Sequence, residues 1–206
     1  MDNSLRTSTI IGGVTGALSA VAVSYVKVGA LPGIVILGAC IGLRGANDCS
    51  GLELATYIAP GLIFGIVFGA LLRRSGKLDP AGAVWFALAS LVGNFLAVMV
   101  AVNVFESTKP LFGDVELPAE LVGGLVAGAV GGGLLGRVTA ALVPGVHWLR
   151  LLAVGAVLGL FLPLALTETQ VLGQAGLYLF YIIWQGGYAA ALVSSRRSAA
   201  ATPAAA

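Results

Sequence analysis

The chain has 206 residues, of which only 10% are charged, 58% are hydrophobic and 30 are glycine. A soluble domain carries roughly 25% charged residues, so the composition excludes a water-soluble globular protein and indicates an integral membrane protein. Eleven basic and nine acidic residues give a net charge of +2 without a basic cluster. A nucleic-acid-binding protein needs such a cluster to neutralise phosphates, so nucleic acid is excluded as a partner.

Long apolar runs without period-2 alternation predict membrane-spanning helices, because a hydrocarbon core of ~30 Å requires about twenty apolar residues in helical form. The expected fold is all-α, a polytopic transmembrane helical bundle of about seven spans. In chain order the spans are Ser8–Val26, Val28–Leu43, Leu52–Leu72, Ala81–Phe105, Ala119–Val143, Trp148–Leu166 and Val171–Val193. The second is short and has Pro32 near its start, so six spans plus a re-entrant segment is the alternative.

The spans predict a single transmembrane domain over residues 1–193, followed by a flexible cytoplasmic tail over residues 194–206. Lys and Arg accumulate on the cytoplasmic side of a membrane protein. Seven spans in a cell (inner or plasma) membrane then place the N-terminus outside and the C-terminus in the cytoplasm, with eight basic residues inside and three outside. The six-span alternative, with its N-terminus inside, gives the same eight-to-three bias.

Two segments share one pattern, in which a carboxylate precedes a glycine-rich helix, a basic turn, a Gly-x-x-Trp motif and a returning helix. Glu53 and Glu120 begin the two copies, and Asp79-Pro80 predicts the cap and first residue of one returning helix. The pattern predicts tandem, parallel two-helix hairpin repeats at about 52–105 and 119–168, with 8–43 as a degenerate third copy that keeps only the small-residue spacing. The last helix at 171–193 lies outside the repeats. Inverted repeats, common in secondary transporters, are not indicated.

Small residues recur at every fourth position of two helices, so each helix carries one glycine stripe where a second backbone can approach closely. We interpret these glycines as helix-packing residues: Gly61, Gly65, Gly69, Gly124, Gly128, Gly132 and Gly136. They pack either within this bundle or against another subunit.

Polar residues are rare in the spans, and such residues are candidates for function because they are costly in hydrocarbon. The last helix repeats polar side chains at spacings of four and three, which places them on one stripe. The candidates for lining a pathway are Ser90, Asn94, Gln174, Tyr178, Tyr181, Gln185 and Tyr188. Hydrogen bonds between helices of a dry bundle are the alternative explanation.

Carboxylates collect at the predicted outer face, where they would concentrate cations at a mouth. The proposed mouth consists of Glu53, Glu106, Glu120 and Glu168. In the alternative explanation, Glu53 and Glu120 have no role in a mouth, and each carboxylate only interacts with the positive end of its helix dipole.

The chain offers little for catalysis or metal binding. Its only cysteines are Cys40 and Cys49, expected as free thiols, and its only histidine is His147. These are too few for a four-cysteine zinc site or a bis-histidine haem, and no Ser–His–Asp, HExxH or phosphate-loop pattern is present. We therefore expect no metal, no cofactor and no enzymatic activity.

The sequence thus leaves two functional hypotheses. The first is a small-solute or cation transporter or channel-like protein whose path is lined by the last helix. The second is a non-catalytic scaffold or accessory subunit that docks through its glycine-rich helix faces. The lipid bilayer is the expected partner in both, and a homo-oligomer or a membrane-protein partner is left open.

Overall fold

The computed structural model describes residues 3–25, 35–36, 39–40, 54–113, 115–166 and 173–200. Within this part the chain is helical, apart from one pair of short strands. The elements in order are α1 (Asn3–Tyr25), β1 (Val35–Ile36), β2 (Ala39–Cys40), α2 (Leu54–Arg74), α3 (Pro80–Thr108), a 3₁₀ turn (Lys109–Leu111), α4 (Leu117–Leu142), α5 (Trp148–Gly159), α6 (Pro163–Leu166) and α7 (Gly173–Ala200).

Five segments of these helices are long and apolar enough to cross a membrane, as a helical membrane protein requires. They are Leu5–Ser24, Tyr57–Arg74, Pro80–Leu111, Leu117–Leu142 and Ala175–Ser195. The protein is therefore a helical integral membrane protein. Helix α7 continues to Ala200, seven residues beyond the end predicted from hydropathy, because its Ala, Ser and Arg residues are compatible with a helix.

The predicted span Trp148–Leu166 is a broken helix. Pro163 has no N–H to donate to the Gly159 carbonyl, and the Leu162 N–H bonds to that carbonyl instead, at 2.9 Å. The short helix α6 then follows the turn at residues 160–162. Together α5, the turn and α6 extend about 28 Å if they rise as an α-helix does, so they can serve as a sixth crossing.

The predicted span Val28–Leu43 is not helical at its described positions. Val35 pairs with Cys40 and Ile36 with Ala39 in an antiparallel arrangement. The rest of this segment, Cys49 and the side chain of Cys40 lie outside the described part of the chain, so the free-thiol prediction stays a prediction.

The helices close into a ring, since each packs on its neighbour in the chain, α5 also packs on α7, and α7 packs on α1. Helices α1 and α7 are antiparallel. Gly12 of α1 lies against Gln185 and Gly186 of α7, whereas Gly16, one turn later, lies against Tyr181, one turn earlier in α7. The first and last described residues are therefore at the same end of the bundle.

This packing bears on the predicted topology, with the N-terminus outside and the C-terminus in the cytoplasm, which stays a prediction. Termini on opposite sides of the membrane require an odd number of crossings. If α1 and α7 are the first and last crossings, their antiparallel packing requires an even number. The six-span alternative satisfies that requirement, with both termini on one side.

Charge is distributed unequally between the two ends of the bundle. The end where α2 ends and α5 begins, here called the basic end, carries Arg6, Arg73, Arg74, Lys77, Arg137 and Arg150. Asp79 caps α3 there by accepting a hydrogen bond from the Gly82 N–H at 2.6 Å, and Pro80 is the first residue of that helix, as predicted. The opposite end, here called the acidic end, carries Glu106, Glu116 and Glu120, with Lys109 as its one described cation.

Large apolar side chains cover the outside of the bundle as well as its core. On α1 the exposed residues Ile10, Val14, Leu18 and Val21 recur at helical spacing. The core consists of buried side chains that include Phe64, Phe86, Leu135, Leu151 and Leu192. An apolar surface around an apolar core suits contact with lipid rather than water.

The arrangement of the chain ends predicts the outcome of a labelling experiment. In a background with both cysteines changed to serine, Thr7→Cys and Ser75→Cys should react with an impermeant maleimide from the same side of sealed vesicles. Glu116→Cys should react only from the other side. Labelling of Thr7→Cys together with Glu116→Cys would instead support seven spans.

Candidate functional site

Ser90 and Asn94 of α3 lie at the seam between α3 and α2. The Ser90 hydroxyl donates to the Gly61 carbonyl at 2.7 Å, and Asn94 Nδ2 donates to the Tyr57 carbonyl at 2.7 Å. Pro60 lies between these two acceptors inside α2. Ser90 and Asn94, predicted as pathway residues, therefore both form hydrogen bonds between helices. Such bonds are the alternative explanation that the sequence left open.

Gln185 connects three helices in the core. Its side chain is fully buried, and Nε2 donates to Ser19 Oγ of α1 at 2.8 Å and to the Pro60 carbonyl of α2 at 3.3 Å. Ser19 in turn donates to the Thr15 carbonyl at 2.8 Å. The Gln185 side chain thus links α7 to α1 and to α2 by hydrogen bonds.

The carbonyl oxygen of the Gln185 amide, Oε1, is in a different situation from Nε2. Oε1 is buried and has no hydrogen-bond partner among the described residues. Leaving a buried acceptor unpaired costs about 1–3 kcal/mol. Such a group in a folded protein calls for a specific explanation.

Tyr188 lies one turn further along α7 and is also fully buried. Its hydroxyl donates to the Gly132 carbonyl of α4 at 2.8 Å. Its ring stacks on Trp184, with centroids 5.6 Å apart, and meets Phe64 of α2 edge-on at 6.1 Å. Aromatic side chains therefore fill the space between α2, α4 and α7 at this level.

The remaining polar residues of the predicted α7 stripe differ in how deeply they are buried. Tyr181 is buried against α1, where its backbone meets Gly16. Tyr178 is only half-buried. Gln174 belongs to α7, but its side chain lies outside the described part of the chain. The structure thus places Tyr181, Gln185 and Tyr188 in the bundle interior, and α2 separates them from Asn94.

The predicted acidic mouth divides into different environments. Glu106 is exposed at the end of α3, and Glu116 forms an ion pair with Lys109. Glu53 and Glu168 have side chains outside the described part. No three of the described His, Cys, Asp and Glu side chains come together as a metal site.

Glu120 is the exception among these carboxylates. It lies in the first turn of α4, its side chain is only 4% exposed, and Oε2 has no hydrogen-bond partner among the described residues. One turn further along α4, Gly123 meets Ala101 of α3, and Gly124 meets Gly159 of α5. Glu120 therefore begins a helix face that is enclosed by α3 and α5.

The glycine stripes face other helices of the same molecule. On α2, a Cβ built on Gly65 would lie 2.8 Å from Ala87 Cα, and Gly61 and Gly69 also meet α3. On α4, Gly124 and Gly128 meet the backbone of Gly159 and Gly155, and a Cβ on Gly132 would lie 2.9 Å from Gly155 Cα. Gly136 meets Leu151 in the same seam. Both stripes are therefore covered by the next helix in the chain.

Several residues of this site are absent from the sequence-based candidates. Ser19 and Pro60 contact Gln185, and Trp184 stacks on Tyr188. The spacing of four between Thr15 and Ser19, and a proline inside an apolar span, were the available signals. Neither signal identifies its partner, because the partner is on another helix.

We predict that the Asn94 bond stabilises the bundle. Asn94→Ala should lower the free energy of unfolding by about 0.6–2 kcal/mol, the usual range for a polar contact between membrane helices. Asn103→Ala is the matched control, since Asn103 is exposed on the same helix and its side chain donates to the Met99 carbonyl four residues earlier. Its effect should stay within about 0.5 kcal/mol. Equal losses in a detergent unfolding titration would contradict this assignment.

Comparison with protein-family models finds no match for this chain. Searches against curated proteins and against solved structures likewise find no significant similarity.

Proposed function

We propose that this integral membrane protein moves a small solute or a cation across the bilayer, along a path lined by the polar face of α7. The observation that carries the proposal is the fully buried Gln185, whose Oε1 has no hydrogen-bond partner among the described residues. Polar residues enclosed in a membrane bundle are candidates for substrate and ion pathways, and an acceptor without a partner can bind a solute or ion that enters.

The rest of the site supports a path that is closed in this conformation. Tyr188 is held by one hydrogen bond to the Gly132 carbonyl and is flanked by Trp184. A single interhelical hydrogen bond of this kind contributes about 0.6–2 kcal/mol. Opening the path at Tyr188 breaks this bond and also separates its ring from Trp184 and Phe64. Gln185 Oε1 can then accept a hydrogen bond from a solute or coordinate a cation.

The scaffold hypothesis has less support. It required glycine-rich faces that are free to dock a partner, whereas the stripes of α2 and α4 are covered by α3 and α5. A partner would have to bind elsewhere on the bundle. We therefore favour transport over docking.

The orientation that fits this proposal places the basic end in the cytoplasm, because positively charged residues are retained on that side. Both termini are then cytoplasmic, and the acidic end faces outward. An outward-facing excess of carboxylates would raise the local concentration of cations.

Flux through purified protein in liposomes tests the proposal. Potassium flux is followed with a potential-sensitive dye, and glycerol and urea entry is followed by light scattering in a stopped-flow instrument. Gln185→Leu should change the flux of whichever probe the wild type carries by about tenfold, equivalent to about 1.4 kcal/mol. Tyr181→Phe should change it in a smaller measure, because it removes only one hydroxyl.

The matched control is Asn103→Leu, which replaces an amide by the same apolar side chain at an exposed position of α3. It should leave the flux unchanged. The proposal fails if the wild type carries none of the three probes, or if Gln185→Leu lowers only stability.

A further inference from the structure

Glu120 is a buried carboxylate in the first turn of α4, and the described residues supply no side-chain cation to pair with it. It is 4% exposed, within the membrane-spanning part of α4, and Oε2 has no hydrogen-bond partner among the described residues. Lys109, the described cation at this end, forms an ion pair with Glu116 on the surface. An isolated carboxylate in an apolar interior is unstable unless something compensates its charge.

The break between α5 and α6 changes the hydrogen bonding of the Leu160 carbonyl. The Leu160 carbonyl would normally accept a bond from residue 163 or 164. Pro163 has no N–H, and the Leu164 N–H donates to the Phe161 carbonyl at 3.0 Å. Neither residue therefore uses the Leu160 carbonyl. The carbonyls at the end of α5 also carry the negative end of its helix dipole.

Contacts between α4 and α5 place the break beside the first turn of α4. A Cβ built on Gly124 would lie 2.9 Å from Leu162 Cβ, and the Gly159 carbonyl also meets Gly124. Glu120 lies one turn before Gly124 on the same helix face. Because α4 and α5 are antiparallel, that turn is level with the residues that follow Gly159.

We propose that Glu120 and the carbonyl groups of the α5–α6 break form a binding site for a monovalent metal cation, Na⁺ or K⁺. A single carboxylate balances a single positive charge, whereas calcium sites usually combine several carboxylates. Carbonyls of a broken helix are the ligands that coordinate such ions in membrane transporters. This site deepens the proposed function and rests on it, since the bound ion would be the one that the protein moves or to which transport is coupled.

Cation-dependent stability of the purified protein tests the site without any flux measurement. Choline chloride is replaced by NaCl or by KCl at constant ionic strength. A ligand that binds only the folded state raises the Tm, and we expect a rise of about 2–5 °C near saturation. Glu120→Gln should abolish this rise. Glu116→Gln, the same change at an exposed position one turn earlier, should retain it.

A second variant tests the carbonyl ligands and guards against misfolding of Glu120→Gln. Pro163→Ala restores an N–H, which can bond to the Gly159 carbonyl and repair the helix. It should weaken cation binding at least about tenfold in calorimetric titration with NaCl or KCl. An undiminished affinity in Pro163→Ala would overturn the role of the break.

The site as a whole is overturned if neither cation raises the Tm of the wild type, or if Glu120→Gln shows the same rise. It is also overturned if a hydrophobic carbodiimide labels Glu120 equally with and without Na⁺ and K⁺, because the carboxyl would then hold a proton instead. Flux without any cation effect removes the site and keeps the proposed function. Cation binding without flux removes the proposed function and keeps the site.

Discussion

The structure depends on one constraint, which is that a polar group inside a membrane bundle must find its hydrogen-bond partner within the protein. Ser90, Tyr188 and the Nε2 group of Gln185 meet this requirement by donating to backbone carbonyls on other helices. The acceptors belong to Gly61, Pro60 and Gly132. These are small or ring-closed residues that let a neighbouring side chain reach the backbone. The glycine stripes therefore do more than bring helices together, since they also expose the carbonyls that pair the polar residues.

Three buried side-chain oxygens have no hydrogen-bond partner among the described residues, namely Ser24 Oγ of α1, Gln185 Oε1 and Glu120 Oε2. The Gln185 and Glu120 oxygens each lie near a proline. Gln185 Oε1 is beside Pro60 of α2, and Glu120 Oε2 is near the break that Pro163 makes between α5 and α6. A purely structural bundle has no reason to keep such groups, because apolar residues of similar volume would fill the same space at lower cost. Their presence in an otherwise well-paired core is what favours a transport function over a scaffold.

Much of the fold was predictable because it depends on local pattern. Apolar run length identified five helices, and Asp79-Pro80 identified the start of α3. The glycine spacing identified stripes, although only the structure shows which helix covers each. The direction of α1 could not be predicted, because moving Arg6 or Lys27 to the cytoplasmic side gives the same charge bias. The burial of Glu120 was also out of reach, since the sequence alone does not distinguish a helix-capping carboxylate from one enclosed by α3 and α5.

The central claim is that the polar face of α7 becomes accessible to water during function. Cysteine accessibility along α7 tests it most directly, in a background with both native cysteines changed to serine. Under the transport account, Tyr181→Cys and Gln185→Cys react with a charged, water-soluble methanethiosulfonate reagent, whereas Leu179→Cys and Ile182→Cys on the exposed apolar face do not. If Tyr181→Cys and Gln185→Cys stay unreactive in folded protein, α7 holds together a dry bundle and the transport account is wrong.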